Sequence, residues 1–158
     1  MSRFLLAFIS VALFAHSQAY AAAANPVDEL QDATSSKFAP GQVWTFKGPP
    51  GNEKATLTIL KIERHPSLGI IVHISISDAV VRTRRFPNGT PLNANHLPFF
   101  EPAIVDSAIA LIRSGRVPTE GLAGYAMWRK EMSTSERLSA FSISVGESIN
   151  VFEKTLDQ

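Results

Sequence analysis

Three histidines lie beyond the first 21 residues of the chain, and imidazole is the side chain whose ordinary pKa best suits acid–base chemistry near neutral pH. They are His65, His73 and His96. None stands in an H-x-x-x-H or H-E-x-x-H arrangement, which would place two metal ligands on one helix face. A zinc site would require all three to converge, with Glu101 or Asp78 as a fourth ligand. Because no spacing supports that convergence, the sequence predicts no metal site.

His96 is held at a defined angle by the residues that follow it. Pro98 restricts Leu97 to extended geometry, near the point where the predicted sheet gives way to helices. A histidine in such a loop can act as a general base, with Glu101 or His73 assisting, or it can bind a partner. It can also simply orient the loop through hydrogen bonds to the backbone. Because no nucleophile is identifiable nearby, these three residues are catalytic candidates only, and the sequence favours a protein that is not an enzyme.

His73 lies in the middle of the stretch GIIVHISIS, residues 69–77, which has the two-residue period of a β-strand. Four aliphatic residues fall on one face, and His73 shares the other face with Ile71, Ser75 and Ser77. We therefore expect His73 on the less apolar surface of a sheet, partly covered by a helix or loop. It joins a site only if His96 lies beside it.

Arg82 and Arg84 belong to a short basic run, VVRTRRF, which the sequence predicts to be a strand over residues 80–86. On a strand they share one face and can bind a carboxylate or an acidic partner protein through bidentate guanidinium contacts. The alternative is a solvent-exposed edge strand whose charges block unwanted pairing. Arg82, Arg84 and His96 are the candidate binding residues.

The composition and motifs leave few other kinds of site. The chain has no cysteine, so it cannot use thiolate catalysis, cysteine metal ligands or disulfides. It contains no G-x-S-x-G nucleophile elbow, no P-loop and no dinucleotide fingerprint, and no cofactor is predicted. Trp44, Phe46 and Trp128 could line a pocket for a small apolar ligand, although aromatic residues at strand and helix spacing more commonly belong to the core.

The N-terminal segment has the three parts of a cleavable secretory signal. Arg3 precedes an apolar run over residues 4–15, which is too short for a comfortable membrane span. Residues 19–21 then satisfy the A-x-A rule for cleavage. We expect residues 1–21 to be a signal peptide, and the mature protein to be periplasmic or secreted.

The chain that follows the signal is about 135 residues long, which is enough for one domain. Residues 22–37 are polar and aperiodic and are expected to form a flexible leader, with a single domain over residues 38–158. Removing the signal takes away Arg3 and no acidic residue, so the 15 basic and 14 acidic residues become equal in number. A neutral protein is a poor candidate for binding nucleic acid, and no later segment is apolar enough for stable membrane insertion.

Strand patterns come first along the chain and helix patterns follow, and this order predicts an α+β fold. We expect a small antiparallel sheet of three to five strands, then about three helices packed on one face. Asn88 and Gly89 are expected to turn a hairpin, and Ser144 with Glu147 to form a capping box. The predicted strands cover residues 42–47, 55–64, 69–77 and 80–86. The predicted helices cover residues 102–115, 122–132 and 145–156.

Four runs of residues form a combination that is more specific than any one of them. They are PGQVWTFK, TLTILKIERHPSLGIIVHISI, HLPF and FSISVGESINVFE. Together they resemble a family of small, uncharacterised exported bacterial proteins, and the resemblance extends from about Phe38 to the end of the chain. It implies a bacterial origin and no particular activity.

The sequence therefore favours an exported, soluble, non-enzymatic module that binds another envelope protein, in the manner of an inhibitor or an immunity protein. Two alternatives stay open. One is an envelope hydrolase that uses a histidine base, which requires His96 to open into a cleft beside an acid or hydroxyl. The other is a carrier of a small apolar ligand, which requires a sizeable apolar pocket between sheet and helices.

Overall fold

A computed structural model describes residues 25–158, so the predicted signal peptide and the first residues of the predicted leader lie outside the described residues. The fold is α+β, as the order of patterns predicts, and the sheet has six strands rather than three to five. The strands are β1 (Gln31–Asp32), β2 (Gln42–Phe46), β3 (Thr56–His65), β4 (Gly69–Val81), β5 (Thr90–Phe100) and β6 (Ala108–Ser114). The helices are α1 (Glu101–Ser107), α2 (Thr119–Met132) and α3 (Val145–Leu156).

The sheet is antiparallel throughout, with the strand order β5-β4-β3-β2-β6. The short strand β1 lies beside the end of β3, on the same side of β3 as β2. Strands β2 to β5 follow one another as neighbours, whereas β6 returns to pair with β2. The two long edges of the sheet are therefore β5 and β6.

The helices cover both faces of the sheet, whereas the sequence predicts them all on one face. In β4, Val72 and Ile74 belong to the core that α1 and α3 cover. Ile71 belongs to a second core on the opposite face, which contains Trp128 of α2 and Val27. The second cover buries Ile71, the one apolar residue on a face of β4 that also carries His73, Ser75 and Ser77, and so removes its surface from water.

The chain before Phe38 contributes to this second core, although the sequence predicts a flexible leader there. Residues Pro26–Glu29 form a 3-10 helix, which Asn25 caps by accepting a hydrogen bond from the Val27 backbone nitrogen at 3.1 Å. Val27 and Leu30 are buried, and β1 pairs with β3. Burying these two aliphatic side chains holds the segment against the sheet.

The predicted helix over residues 102–115 is only half helical. It ends at Ser107, and the chain continues as strand β6 along β2. Ser107 is fully buried, where its hydroxyl donates to the Ala103 carbonyl at 2.6 Å and accepts from the Val145 nitrogen at 2.9 Å. These bonds anchor the end of α1 to the start of α3, and the β-branched residues that follow are well suited to a strand.

Other local predictions are confirmed or shortened. Strand β4 ends at Val81, so the predicted strand over residues 80–86 is mostly a loop. Asn88 and Gly89 lie in the connection between β4 and β5, and Gly89 has a φ of 95°, but Asn88 does not have a positive φ and the connection spans residues 82–89, so it is longer than the two-residue hairpin turn that Asn-Gly favours. Ser144 and Glu147 form the predicted capping box at the start of α3. Across residues 25–158, we find no helix with the length and apolar character needed to cross a membrane.

Candidate functional site

One polar residue from each of three adjacent strands lies beneath α2. Glu63 comes from β3, His73 from β4 and His96 from β5. The residue opposite His73 is Lys61 on β3 and Pro98 on β5. Glu63 lies two residues after Lys61, and His96 lies two residues before Pro98. Both side chains are therefore on the same face of the sheet as His73. His73 has no exposed surface, which corrects the prediction of a surface-facing histidine.

His96 lies within strand β5 rather than in a loop, contrary to the sequence prediction. The proline that suggested a loop is compatible with this edge strand. The Pro98 carbonyl faces away from β4 and accepts a hydrogen bond from the Phe141 nitrogen at 2.8 Å. Because the Pro98 nitrogen faces away from β4 as well, its missing N–H removes no hydrogen bond between β4 and β5.

Helix α2 approaches the sheet closely because two glycines face it. A Cβ atom on Gly124 would lie 2.7 Å from the His96 Cβ, and one on Gly121 would lie 2.4 Å from a methyl group of Leu60. Tyr125 and Trp128 follow on the same side of the helix. Their rings meet His73 edge-on, with centroid distances of 4.9 Å and 4.8 Å, and help to shield Glu63 and His73, which are both buried, whereas His96 is partly exposed.

A continuous chain of hydrogen bonds joins these side chains. His73 Nε2 lies 3.1 Å from Glu63 Oε2, and His73 Nδ1 lies 2.9 Å from His96 Nε2. The other oxygen of Glu63 accepts from the Tyr125 hydroxyl at 2.8 Å and from Arg129 Nη1 at 3.0 Å. A buried carboxylate is stable only with such partners, and here both of its oxygens are occupied. We call these five residues the Glu63 cluster.

The surroundings determine which members of the Glu63 cluster carry charge. Burial acts to raise the pKa of the Glu63 carboxyl, but hydrogen bonds from His73 and Tyr125 outweigh it and the pKa is lowered. Burial lowers the pKa of His73, against the opposing effect of Glu63. Burial, followed by the charge of His73, lowers the pKa of His96 to about 4. At neutral pH the cluster thus holds an ionised carboxylate and two neutral imidazoles.

These charge states assign the protons along the chain of hydrogen bonds. Because an ionised Glu63 can only accept, His73 Nε2 carries a proton and donates it to the carboxylate. His73 Nδ1 then accepts, so the proton of His96 lies on Nε2. The remaining nitrogen, His96 Nδ1, is unprotonated and forms no hydrogen bond with the described residues.

The Glu63 cluster is a poor general base at neutral pH. A base works best when its pKa lies near the working pH, and the pKa of His96 is about 4. Among the described residues, only the ring of His73 forms a hydrogen bond with His96. Glu101, the predicted assistant, instead accepts from the Ser36 hydroxyl at 2.5 Å and the Lys37 nitrogen at 3.3 Å. The structure brings His73 to His96 and leaves Glu101 elsewhere.

The candidate binding residues do not form one surface. The backbone nitrogen of Arg82 donates to Glu153 Oε1, and the backbone nitrogen of Arg84 donates to Asp157 Oδ1, both at 2.7 Å. Both acceptors are at the C-terminal end of α3. The two arginines follow the end of β4 and do not share a strand face. Since α3 and α2 cover opposite faces of the sheet, Arg82 and Arg84 lie on the other side of the sheet from His96.

The three aromatic residues considered for an apolar pocket are distributed over two cores. Phe46 is buried on the α3 side, with Trp44 packed against that core. Trp44 also meets Phe38 edge-on at a centroid distance of 5.5 Å. Trp128 is buried on the α2 side. They therefore line no common ligand pocket.

The sequence analysis missed two features that the structure reveals. The first is Glu63, whose signal was a single acid beside Ile62 in a predicted strand rich in Thr and Ile. The second is the outer edge of β6, where Ile109, Leu111 and Ile112 are 60%, 46% and 52% exposed. Its signal was hidden because the same apolar residues also fit a helical stripe.

Comparisons of the chain with protein-family models, with curated proteins and with solved structures find no match. The functional assignment therefore depends on the geometry of the described residues.

Proposed function

We propose that the protein is an exported, non-enzymatic module that binds an extended segment of another envelope protein along the outer edge of β6. The observation that carries this proposal is the row of exposed aliphatic side chains on that strand. One side of β6 pairs with β2, and no described strand pairs with its other side. A partner strand would gain both backbone hydrogen bonds and apolar contacts there.

The two edges of the sheet differ in how well they are protected. Edge β5 carries Pro91 and Pro98, and Phe141 pairs with part of it through a parallel bridge. Edge β6 contains no proline and no lysine, and Arg113 is its single charged residue. Natural edge strands commonly carry such protection against pairing. The pairing of β6 with β2 has two register shifts, which are one form of protection, but the exposed aliphatic side chains and the lack of proline and lysine favour strand addition as a function.

A hydrolase with a histidine base is the second candidate, and the chain of hydrogen bonds from Glu63 to His96 is what favours it. The low pKa of His96 and its confinement beneath α2 weigh against this role at neutral pH. In the proposed binding module, the Glu63 cluster instead fixes α2 to the sheet. The predicted roles of Arg82 and Arg84 in binding stay a prediction, with charge reversal at both positions as its test.

The proposal can be tested by photo-crosslinking in an envelope fraction. A photoreactive phenylalanine analogue replaces Ile112 on β6 or, as a control, Met127, which is 67% exposed on α2. We expect one partner protein to be crosslinked from β6 only. Ile109→Lys with Leu111→Lys should reduce its capture about tenfold, because charge on an edge strand opposes pairing. Met127→Lys should leave capture unchanged.

Two results would contradict the proposal. Equal capture by the β6 variant and the Met127 variant would remove β6 as the docking surface. Crosslinking of a second copy of this chain would make the edge a self-association surface instead. Export is tested on the same sample, since N-terminal sequencing of the recovered protein should begin at Ala22 if residues 1–21 are cleaved.

A further inference from the structure

A cleft of about 430 Å³ lies between the N-terminal 3-10 helix, the turn that joins β3 to β4, and the segment that follows α2. Its apolar walls are Pro26, Leu68 and Leu138. Its polar lining includes Glu29 and His65. Neither the Glu63 cluster nor the edge of β6 lines it, so this cleft is separate from the surface of the proposed function.

The ring of His65 is buried in the wall of this cleft. Its side chain is only 6% exposed. Its Nδ1 atom accepts hydrogen bonds from the backbone nitrogens of Ser67 at 3.2 Å and Leu68 at 3.3 Å. Because Nδ1 must be unprotonated to accept them, the proton of the neutral ring lies on Nε2. Among the described residues, Nε2 is the one buried side-chain nitrogen or oxygen without a hydrogen-bond partner.

The proton on His65 Nε2 determines which kind of ligand atom this nitrogen can bind. A metal ion would need the Nε2 lone pair, and the ring would then carry its proton on Nδ1, where two backbone N–H groups already donate. Nε2–H therefore calls for an acceptor. The Glu29 carboxylate is 3.8 Å away, too far for a hydrogen bond, and it provides an acceptor beside the donor.

We propose that this cleft binds a primary carboxamide that carries an aliphatic group. The amide oxygen accepts from His65 Nε2–H, and the amide N–H₂ donates to Glu29. The aliphatic group lies against Leu68 and Leu138. A carboxylate of the same shape is disfavoured because it has no N–H to offer Glu29, and its charge is repelled by that residue. Glu136 and Arg137 also line the cleft and carry opposite charges, so the discrimination between amide and acid depends on Glu29.

The test is a titration of the isotope-labelled chain followed by NMR. The probe is N-acetyl-L-leucinamide, and N-acetyl-L-leucine is its matched control. We expect the amide to shift the backbone signals of Glu29, Leu68 and Leu138 and the Nε2–H signal of His65, with the acid binding about tenfold more weakly. Acetyl-Leu-Gln-Leu-N-methylamide, whose one primary amide is the glutamine side chain, distinguishes a peptide source from a free small amide.

Two variants test the contacts separately. Glu29→Ala and Leu138→Ala should each weaken amide binding several-fold, because one removes the acceptor and the other an apolar wall. Leu156→Ala, at an exposed leucine of α3, should not change it. Equal affinity for the amide and the acid, or absence of shifts at His65 at the highest soluble amide concentration, would overturn the proposal.

Discussion

Glu63 keeps its charge beneath a helix because each of its oxygens has a donor. Tyr125 and Arg129 reach one oxygen, and His73 reaches the other. The effect is reciprocal, since burial, followed by the hydrogen bond to Glu63, raises the pKa of Tyr125 to about 12. At neutral pH the tyrosine is therefore a donor, which is the role that the carboxylate needs.

Glu63→Gln should destabilise the protein, and it should also move the proton of each of the two histidines from Nε2 to Nδ1. Charge-assisted hydrogen bonds to a buried carboxylate contribute roughly 2–3 kcal/mol, and we expect a loss of that order in the free energy of unfolding, measured with urea. An amide nitrogen facing His73 Nε2 would donate to it. His73 and His96 would then both carry their protons on Nδ1, which ring ¹⁵N shifts can distinguish.

Glu131→Gln is the matched control, because Glu131 is an exposed residue of α2. It should change the free energy of unfolding by less than about 0.5 kcal/mol. An unchanged Nε2–H pattern in Glu63→Gln would show that Glu63 does not set the histidine tautomers.

At the scale of elements, α2 shows how far sequence patterns reach. The spacing of Tyr125 and Trp128 predicts that they share a helical face, and both face the sheet. Leu122 lies three residues before Tyr125, so the same spacing predicts it on this face, but it is 43% exposed. The contact runs through Gly121 and Gly124 instead, because a helix that carries glycines can approach strands closely. Hydrophobic periodicity does not reveal this contact, because the glycines that make it have no side chain.

Strand β6 shows the opposite difficulty. Its apolar residues continue the stripe of α1, so periodicity alone extends the helix to Gly115. What decides the structure is pairing with β2, more than 60 residues earlier, and the buried hydroxyl of Ser107. Both are long-range contacts that a local pattern does not encode. For the same reason the exposed edge formed by β6 was not predictable, whereas the fold class, which follows from the order of local patterns, was predictable.

Gly124→Ala tests the close contact between α2 and β5. Helix propensity alone would make this change stabilising by about 1 kcal/mol. The added methyl group would lie 2.7 Å from the His96 Cβ, so we expect a net loss of about 1–3 kcal/mol in the free energy of unfolding by chemical denaturation. A gain in stability would show that α2 can move away from the sheet without cost.

At the scale of the whole molecule, one sheet separates two cores of different character. The α1 and α3 side is a large apolar cluster that includes Phe99 and Ile104. The α2 side is smaller and contains the Glu63 cluster. The sequence placed His73 on the less apolar face of β4, which is confirmed. Its burial was not predictable, because it depends on α2 crossing to that face some 50 residues later.

This division predicts how stability depends on pH. The folded-state pKa of His96 is lowered from 6.5 to about 4, and that of His73 is lowered too. Between pH 6.5 and 4 these histidines bind protons more readily in the unfolded chain than in the folded chain. Their contribution to the free energy of unfolding is therefore complete above pH 6.5 and is lost as the pH falls toward 4. Because His96 is partly exposed, we expect its share of the loss to be about 1–2 kcal/mol.

The measurement is the free energy of unfolding of the protein and of His96→Gln at several pH values between 7 and 4. Acidic residues protonate in both proteins and cancel in the comparison. Glutamine does not titrate and can still donate to His73 Nδ1, so the variant should lose less stability than the parent as the pH falls. Parallel curves over this range would mean that His96 accepts a proton as readily in the folded state as in the unfolded chain, and that α2 does not shield the polar chain beneath it.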